Sequence, residues 1–337
     1  MPPLNSWTGL GLLLSLGLGS AWLLTRAAVP SERSITEATQ TEATQTEAAK
    51  TEAAKTEAAK TEAVITEAAD MDRTVPSRIY GHKTYAVGGA IAHVITQPPD
   101  TNVSIAVAAE LATINTFAEQ TNASYIINGG FFDPNNGKTT SYLISQGQTI
   151  GDPTNNERLT GNPDLSQYMA QIFNRSEFRV YRCHGSDTST SDTPIYDITF
   201  HDASPPDGCE IDTALGAGPQ LLPVDTSEIE GFTDYGSGTL IRDAIGSLQP
   251  NARSAIGLYP EGAIALIMIE KNEASTGLTL SELADFAASI GITKLLNLDG
   301  GSSSSLFIAT DQTYFGQSDA EGDPIRRPVK SVILLGN

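Results

Sequence analysis

The stretch TLSELADFAASIGITKLLNLDGGSSSSLF, residues 279–307, holds a helix, a strand and a turn in succession. Thr279 with Glu282 three residues on is the capping-box pattern, and Leu280, Leu283, Ala287 and Ile290 fall on one helical face. Gly291 supplies the stop, and the apolar run KLLNL, residues 294–298, reads as a strand. That strand drives into one acid, two glycines and four serines. Asp299-Gly300 alone would make a tight hairpin turn, so the remaining small polar residues answer to something else.

The same device occurs earlier in the chain. A weaker helical pattern over residues 110–120 feeds ASYIINGGFFD, residues 123–133, whose strand also ends in Gly-Gly. Asn128-Gly129-Gly130 and Asp299-Gly300-Gly301 therefore read as the ends of two related half-units, facing one another across a shared cleft. Residues without Cβ let a ligand approach the backbone and expose successive N–H groups as an anion nest. Ser302, Ser303 and Ser304 would add hydroxyls for a phosphate or a sugar; the plainer reading of each motif is a turn with solvated serines.

Further short β-rich runs are VSIAVAA (103–109), FRVYR (178–182), AIALIMIE (263–270) and VKSVILL (329–335), broken by Gly, Pro, Asn and Asp. The expected class is α+β: a mixed many-stranded sheet with few helices, built from two related halves. Residues 185–208 read as an insertion tied at its base by Cys183 and Cys209, whose even count permits one disulfide. Closing a loop of about 25 residues contributes roughly 3 kcal/mol by the chain-entropy argument.

Residues 76–337 are read as that domain. Residues 1–29 include the uncharged, mostly apolar WTGLGLLLSLGLGSAWLL (7–24), a signal peptide or an N-terminal membrane anchor. Either makes the protein exported, extracellular or periplasmic, with membrane contact only through residues 7–24. Residues 30–75 contain seven pentads of the TEATQ and TEAAK kind. A period of five matches neither 3.6 nor 2, so this segment is a spacer that buries no core.

The formal charge is −20, and most of it lies beyond the repeats. Such a domain repels phosphate backbones, which argues against nucleic acid as a partner and demands a local cation for any anionic substrate. GGSSSS lacks the G-x-S-x-G of a serine hydrolase, no H-E-x-x-H occurs, and GGFFDPNNGKTT has Phe132 where a phosphate loop needs glycine. His82, His93, His184 and His201 are scattered, which favours structural roles over metal ligation. The acidic SDAEGD, residues 318–323, lacks EF-hand spacing and reads as a solvated turn; calcium has no support there and no cofactor is expected. Arg253, in NARSAIGLY, is either a fixed cation at a strand entrance or half of a surface salt bridge, and GAGPQLLP, residues 216–223, reads as a structural turn.

In this order INGGFFD, GAGPQLL, ARSAIG and LNLDGGSSSSL resemble the motifs of the phosphodiester glycosidase family, over about residues 80–337. Where the family pattern looks like Asp-Gly-Gly-Gly-Ser-Ser, this chain has Ser302 for the third glycine; where it often shows Arg-Thr, this chain has Arg253-Ser254. The resemblance implies a hydrolase that cleaves the glycosidic bond of a sugar-1-phosphodiester, freeing the sugar and leaving a phosphomonoester. On that reading Asp299 is the catalytic carboxylate and Asp133 a second acid or base. Arg253 and the N–H groups of Gly129, Gly130, Gly300 and Gly301 would stabilise phosphate charge, Asn128 would orient substrate hydroxyls, and Ser302, Ser303 and Ser304 would bind phosphate or sugar oxygens. The expected partner is a carbohydrate phosphodiester of a cell-surface or extracellular polysaccharide. The alternative is a non-catalytic glycan-binding protein of exopolysaccharide assembly.

Overall fold

The computed structural model describes residues 79–184, 194–310 and 312–336. The expectations for residues 1–75 and for the middle of the insertion lie outside the described residues.

Three sheets carry the fold. The first runs, in spatial order, Gly81–Val87, Ala90–Gln97, Ile264–Ile269, Arg253–Leu258, Lys294–Asn297 and Gln220–Leu222. The second runs Gln312–Phe315, Ser305–Ile308, Tyr125–Asn128, Val329–Leu335 and Val103–Ala112, and the third Gln148–Gly151, Leu143–Ser145, Cys209–Gly216, Ser176–Cys183 and Ile195–Phe200. The α+β class holds, with sheet dominant and helices few.

The ladders are antiparallel throughout rather than mixed, and the two half-units show why. Val103–Ala112 leads through the helix Ile114–Gln120 to Tyr125–Asn128, while Ile264–Ile269 leads through the helix Leu280–Ser289 to Lys294–Asn297. Each helix is separated from its following strand by four residues, 121–124 and 290–293. A strand–helix–strand connection of this length ordinarily sets two parallel strands side by side. Here Val329–Leu335 inserts between the first pair and Arg253–Leu258 between the second, antiparallel to both neighbours. The two halves are thus built alike.

Burial follows the same plan. The inner faces of all three sheets share one apolar core, with Ile95, Ile256 and Leu296 from the first, Ile105, Ile127 and Ile333 from the second, and Phe178 and Leu215 from the third. The outer face of the first sheet is covered by Leu280, Leu283, Phe286 and Ala287 of one helix, and that of the second by Ile114 and Phe117 of the other. The Thr279–Glu282 capping box forms, and Gly291 ends the helix at φ +89°. The earlier helix is shorter than its pattern: residues 110–112 stay in the strand and Thr113 caps at the point where the apolar face begins.

Cys183 and Cys209 face one another in register across adjacent strands and are joined by a disulfide. Beside them in the third sheet, Arg179 is fully buried, donating to the Glu177 carboxylate at 2.6 Å and to the carbonyls of Phe200, His201 and Ala203. His201 adds a 3.0 Å contact to Glu177, and His93 lies between His82 and Glu270 at 3.1 and 2.9 Å. Among the described residues no group of three or more His, Cys, Asp or Glu side chains is arranged to hold a metal ion.

Candidate active site

The strand Lys294–Asn297 belongs to the first sheet and Ser305–Ile308 to the second, so LDGGSSSS is the crossover between them. Its path is fixed by backbone bonds to both sheets: Leu298 N–H to Ser254, Asp299 N–H to Gly129, and Gly301 N–H to Ala252. Small residues are needed because this passage is crowded. Gly301 sits at φ +63°, a Cβ on Gly300 would lie 3.1 Å from the Ala252 carbonyl oxygen, and Ser303, Ser304 and Ser305 are buried.

Asn128 pins the crossover. Its side-chain oxygen accepts from the Ser254 hydroxyl at 2.6 Å and the Ser305 N–H at 3.1 Å, and its amide nitrogen donates to the Asp299 carbonyl at 2.7 Å. One buried amide therefore ties both Gly-Gly motifs and both sheets together. The strand ends meet as the repeated device predicts.

Asp299 emerges at a cavity of about 230 Å³ lined by Phe131, Ile245, Asn251, Arg253, Asn297 and Gly301, among others. Burial pushes its carboxyl up to about 6, against the opposing effects of the Ser303 hydroxyl, the Arg327 guanidinium and the Gly300 N–H. Asn297, 2% exposed, lines the cavity and donates its amide to the Gly218 carbonyl at 2.9 Å; its side-chain oxygen has no protein partner and is closed off from solvent. Asn251 is oriented the other way: its oxygen accepts from Ala252 N–H and the Gln317 amide. The cavity thus sets a proton-holding carboxyl beside a buried guanidinium, a pair suited to an anionic leaving group.

The expected site residues divide. Arg253, 2% exposed, donates to the carbonyls of Leu278, Ile245, Gly246 and Gln249, which takes four of its five N–H groups. It is a loop clamp whose positive charge borders the cavity, neither a surface salt bridge nor a free phosphate fork. Burial lowers its proton affinity to about 10, with Asp243 acting in the opposite sense.

Asp133 does not line the cavity. Its carboxylate accepts from Arg158 and Asn135 N–H at 2.8 Å each and closes the turn at residues 133–138. Burial opposes its charge, but those two donors outweigh it and hold the carboxyl below the usual range. Asn128, fully committed to protein groups, positions the crossover in place of reaching substrate.

Gly129 and Gly130 form no anion nest. Gly129 N–H is bonded to Ser331, and a Cβ on Gly130 would stand 2.2 Å from the Gly216 carbonyl oxygen. Both glycines exist for close packing of backbone on backbone. Gly130→Ala is expected to destabilise the protein by about 3 kcal/mol, since backbone on both sides must shift. Thermal unfolding checks this: the midpoint should fall by roughly 6–12 °C, and a shift within about 2 °C would contradict the close approach.

Ser304 is fully buried with an unpartnered hydroxyl, Ser303 serves Asp299, and Ser302 alone of the three is not buried. Asn251, Asn297 and Arg327 were not anticipated. Arg327 lies in the IRRPVK stretch before the last strand, a basic pair in an acidic domain, and this was its one visible signal. GAGPQLL is structural as expected: Gly218 exchanges bonds with Asn297 and packs on the buried Glu230, which accepts from Ser176, Gln220 and Thr226.

The chain matches the phosphodiester glycosidase family over residues 121–335. Its fold is similar to the catalytic domain of zebrafish N-acetylglucosamine-1-phosphodiester alpha-N-acetylglucosaminidase, auto-inhibited by its pro-peptide, with 14% identity over 76% of this chain and 81% of that one and a TM-score of 0.54. A putative exported protein of Burkholderia pseudomallei is similar at 16% identity, covering 74% of each chain, with a TM-score of 0.50. At these identities the likeness is one of fold. No curated protein sequence matches. The family match takes in well over half of the chain, with the last strand of the first half-unit, the whole second half-unit and every residue named above at the cavity, and on that ground the chain belongs to the phosphodiester glycosidase family.

Proposed function

We propose that this protein hydrolyses the glycosidic bond of a sugar-1-phosphodiester in the Asp299 cavity, on cell-surface or extracellular polysaccharide. The observation that carries the reading is Asp299 itself: a carboxyl raised to about 6 at a cavity whose other charged lining group is the cation Arg253.

A phosphomonoester is a good leaving group and needs little help from a proton donor; it needs its charge stabilised. Arg253 and Arg327 supply positive potential on the leaving-group side. Asp299, ionised above pH 6, activates water or stabilises the oxocarbenium-like centre. The Cys183–Cys209 disulfide supports the exported location.

A second reading has its own observation. Among the described residues Asp299 is the one carboxylate lining the cavity, whereas most glycosidases use two. A cleft with one acid also serves a non-catalytic glycan-binding protein of exopolysaccharide assembly. Turnover of a panel of UDP-sugars and sugar-1-phosphodiesters, with and without EDTA, separates the two. Release of free sugar is expected. Binding of the same compounds with no release would establish the second reading.

A further inference from the structure

In a chain of charge −20, exposed cations find carboxylates: Lys138 pairs with Glu157, Arg158 with Asp133, Arg182 with Asp212 and Lys294 with Asp197. Arg175 and Arg242 do not. Arg175 donates through Nε to the Glu230 carbonyl at 3.1 Å, and Arg242 through Nε to the next carbonyl, that of Gly231, at 2.9 Å. The Arg175 guanidinium carbon lies 3.7 Å from the centre of the Phe232 ring, and that of Arg242 lies 4.6 Å from the centre of the Tyr168 ring. Three successive residues, 230–232, thus hold two cations as neighbours.

This anchoring leaves most of the donors free. A guanidinium carries five N–H groups, so each arginine keeps the four on Nη1 and Nη2 without a protein acceptor among the described residues. Both residues are half-buried, yet none of these nitrogens is among the unpartnered polar atoms closed off from solvent, so a ligand can reach them. The neighbouring acids are engaged elsewhere. Glu230 accepts from Ser176, Gln220 and Thr226, and Asp234, opposite Arg242 across the strand pair, accepts from the Tyr168 hydroxyl at 2.7 Å. Burial lowers the proton affinity of Arg175 to about 10, with Glu230 opposing and the Arg242 charge adding to the fall. At neutral pH Arg175 therefore stays charged and bears the repulsion of its neighbour.

Two neighbouring forks select the ligand. A carboxylate has one charge and two oxygens, which a single fork satisfies; a phosphomonoester has two charges and three terminal oxygens, which match two. We propose that Arg175 and Arg242 together bind a phosphomonoester. Their site adjoins the Asp299 cavity, since Phe131, which lines that cavity, has its ring centre 5.6 Å from that of Phe232. Ala244 and Ile245, two and three residues after Arg242, line it as well. Cleavage of a sugar-1-phosphodiester leaves a phosphomonoester, so the pair holds the freed phosphate at the edge of the cavity and prefers product to the singly charged diester. That placement rests on the function proposed above; phosphomonoester binding itself does not.

The test is calorimetric titration of the full chain with methyl phosphate, dimethyl phosphate and acetate at one ionic strength. Methyl phosphate should bind at least tenfold more tightly than the other two. Arg175→Gln and Arg242→Gln should each weaken it by about tenfold, the worth of a hydrogen bond to a charged group, and Asp299→Asn should not weaken it. Should Arg175→Gln lose the fold, protection of Arg175 from phenylglyoxal by methyl phosphate, read by mass spectrometry on the parent, answers for that residue. In turnover assays methyl phosphate should inhibit the parent, and Arg242→Gln should raise its inhibition constant about tenfold while keeping kcat within twofold. Binding through the pair in a protein that turns nothing over would sink the proposed activity and leave this site standing. Methyl phosphate bound no better than acetate, or bound equally by the parent and both arginine variants, would overturn the site.

Discussion

Asp299→Asn is expected to abolish turnover, with a loss of about 10³-fold, and at the same time to make the protein more stable at neutral pH. The two effects have one cause. Asp299 stands in a site that raises its carboxyl from the ordinary 3.8 to about 6, so the fold prefers the protonated, uncharged form. A group with a raised folded value contributes stability that is fully present below pH 3.8 and is lost as pH rises through about 6. Above that pH the ionised carboxylate costs the folded state up to about 3 kcal/mol, the worth of a two-unit shift.

Asn removes that cost and keeps an oxygen for the Ser303 hydroxyl and the Gly300 N–H. The variant's unfolding midpoint should therefore exceed the parent's at pH 8, by several degrees, and the gap should close on descending to pH 4. The parent's kcat/KM should rise with pH and level off above about 6, the proton lost being that of Asp299. Measuring midpoint and rate on the same pair of proteins decides the matter. An inactive variant that is destabilised at every pH would mean that Asp299 is a structural turn residue. An active one would remove it from the chemistry.

Much of this arrangement is legible in the sequence because it is local. The capping box at Thr279, the stop at Gly291 and the strand after it are signals carried within residues 279–297, and the repetition of that pattern around Asn128 exposes the half-units. The turn at Asp133 was local as well. Asp-x-Asn is an Asx turn, and Asp133 accepts the Asn135 N–H as such a turn requires, which marks it as a structural acid.

What sequence could not convey is which backbone meets which side chain. Gly130 is glycine because of the Gly216 carbonyl, and Gly129 because of Ser331, partners 86 and 202 positions away. Carbonyl oxygens have no letter of their own, so the four that surround Arg253 left no mark in the sequence. The antiparallel directions were hidden for a related reason. In the first half-unit the inserted strand Val329–Leu335 comes from a distant part of the chain, and in the second Arg253–Leu258 folds in from the hairpin just before Ile264–Ile269, so neither lies between the two strands it separates.

Arg253 provides the second large effect. Arg253→Lys preserves the charge and the approximate length of the side chain, and on a phosphate-binding role it should cost mainly affinity. The clamp predicts something harsher. A lysine has three donors in place of a planar fork of five, and it cannot reach the Leu278 carbonyl through Nε while serving Ile245, Gly246 and Gln249. At least one buried carbonyl and part of a buried charge lose their partners, a loss of about 3 kcal/mol. The midpoint should drop by roughly 6–12 °C. Because Ala244, Ile245 and Asn251 all line the Asp299 cavity, loosening residues 244–251 should also lower kcat as well as raise KM. A variant with an unchanged midpoint and a raised KM alone would return Arg253 to the role of a simple phosphate ligand. The combined loss would identify it as the residue that holds the 244–251 wall of the Asp299 cavity in place.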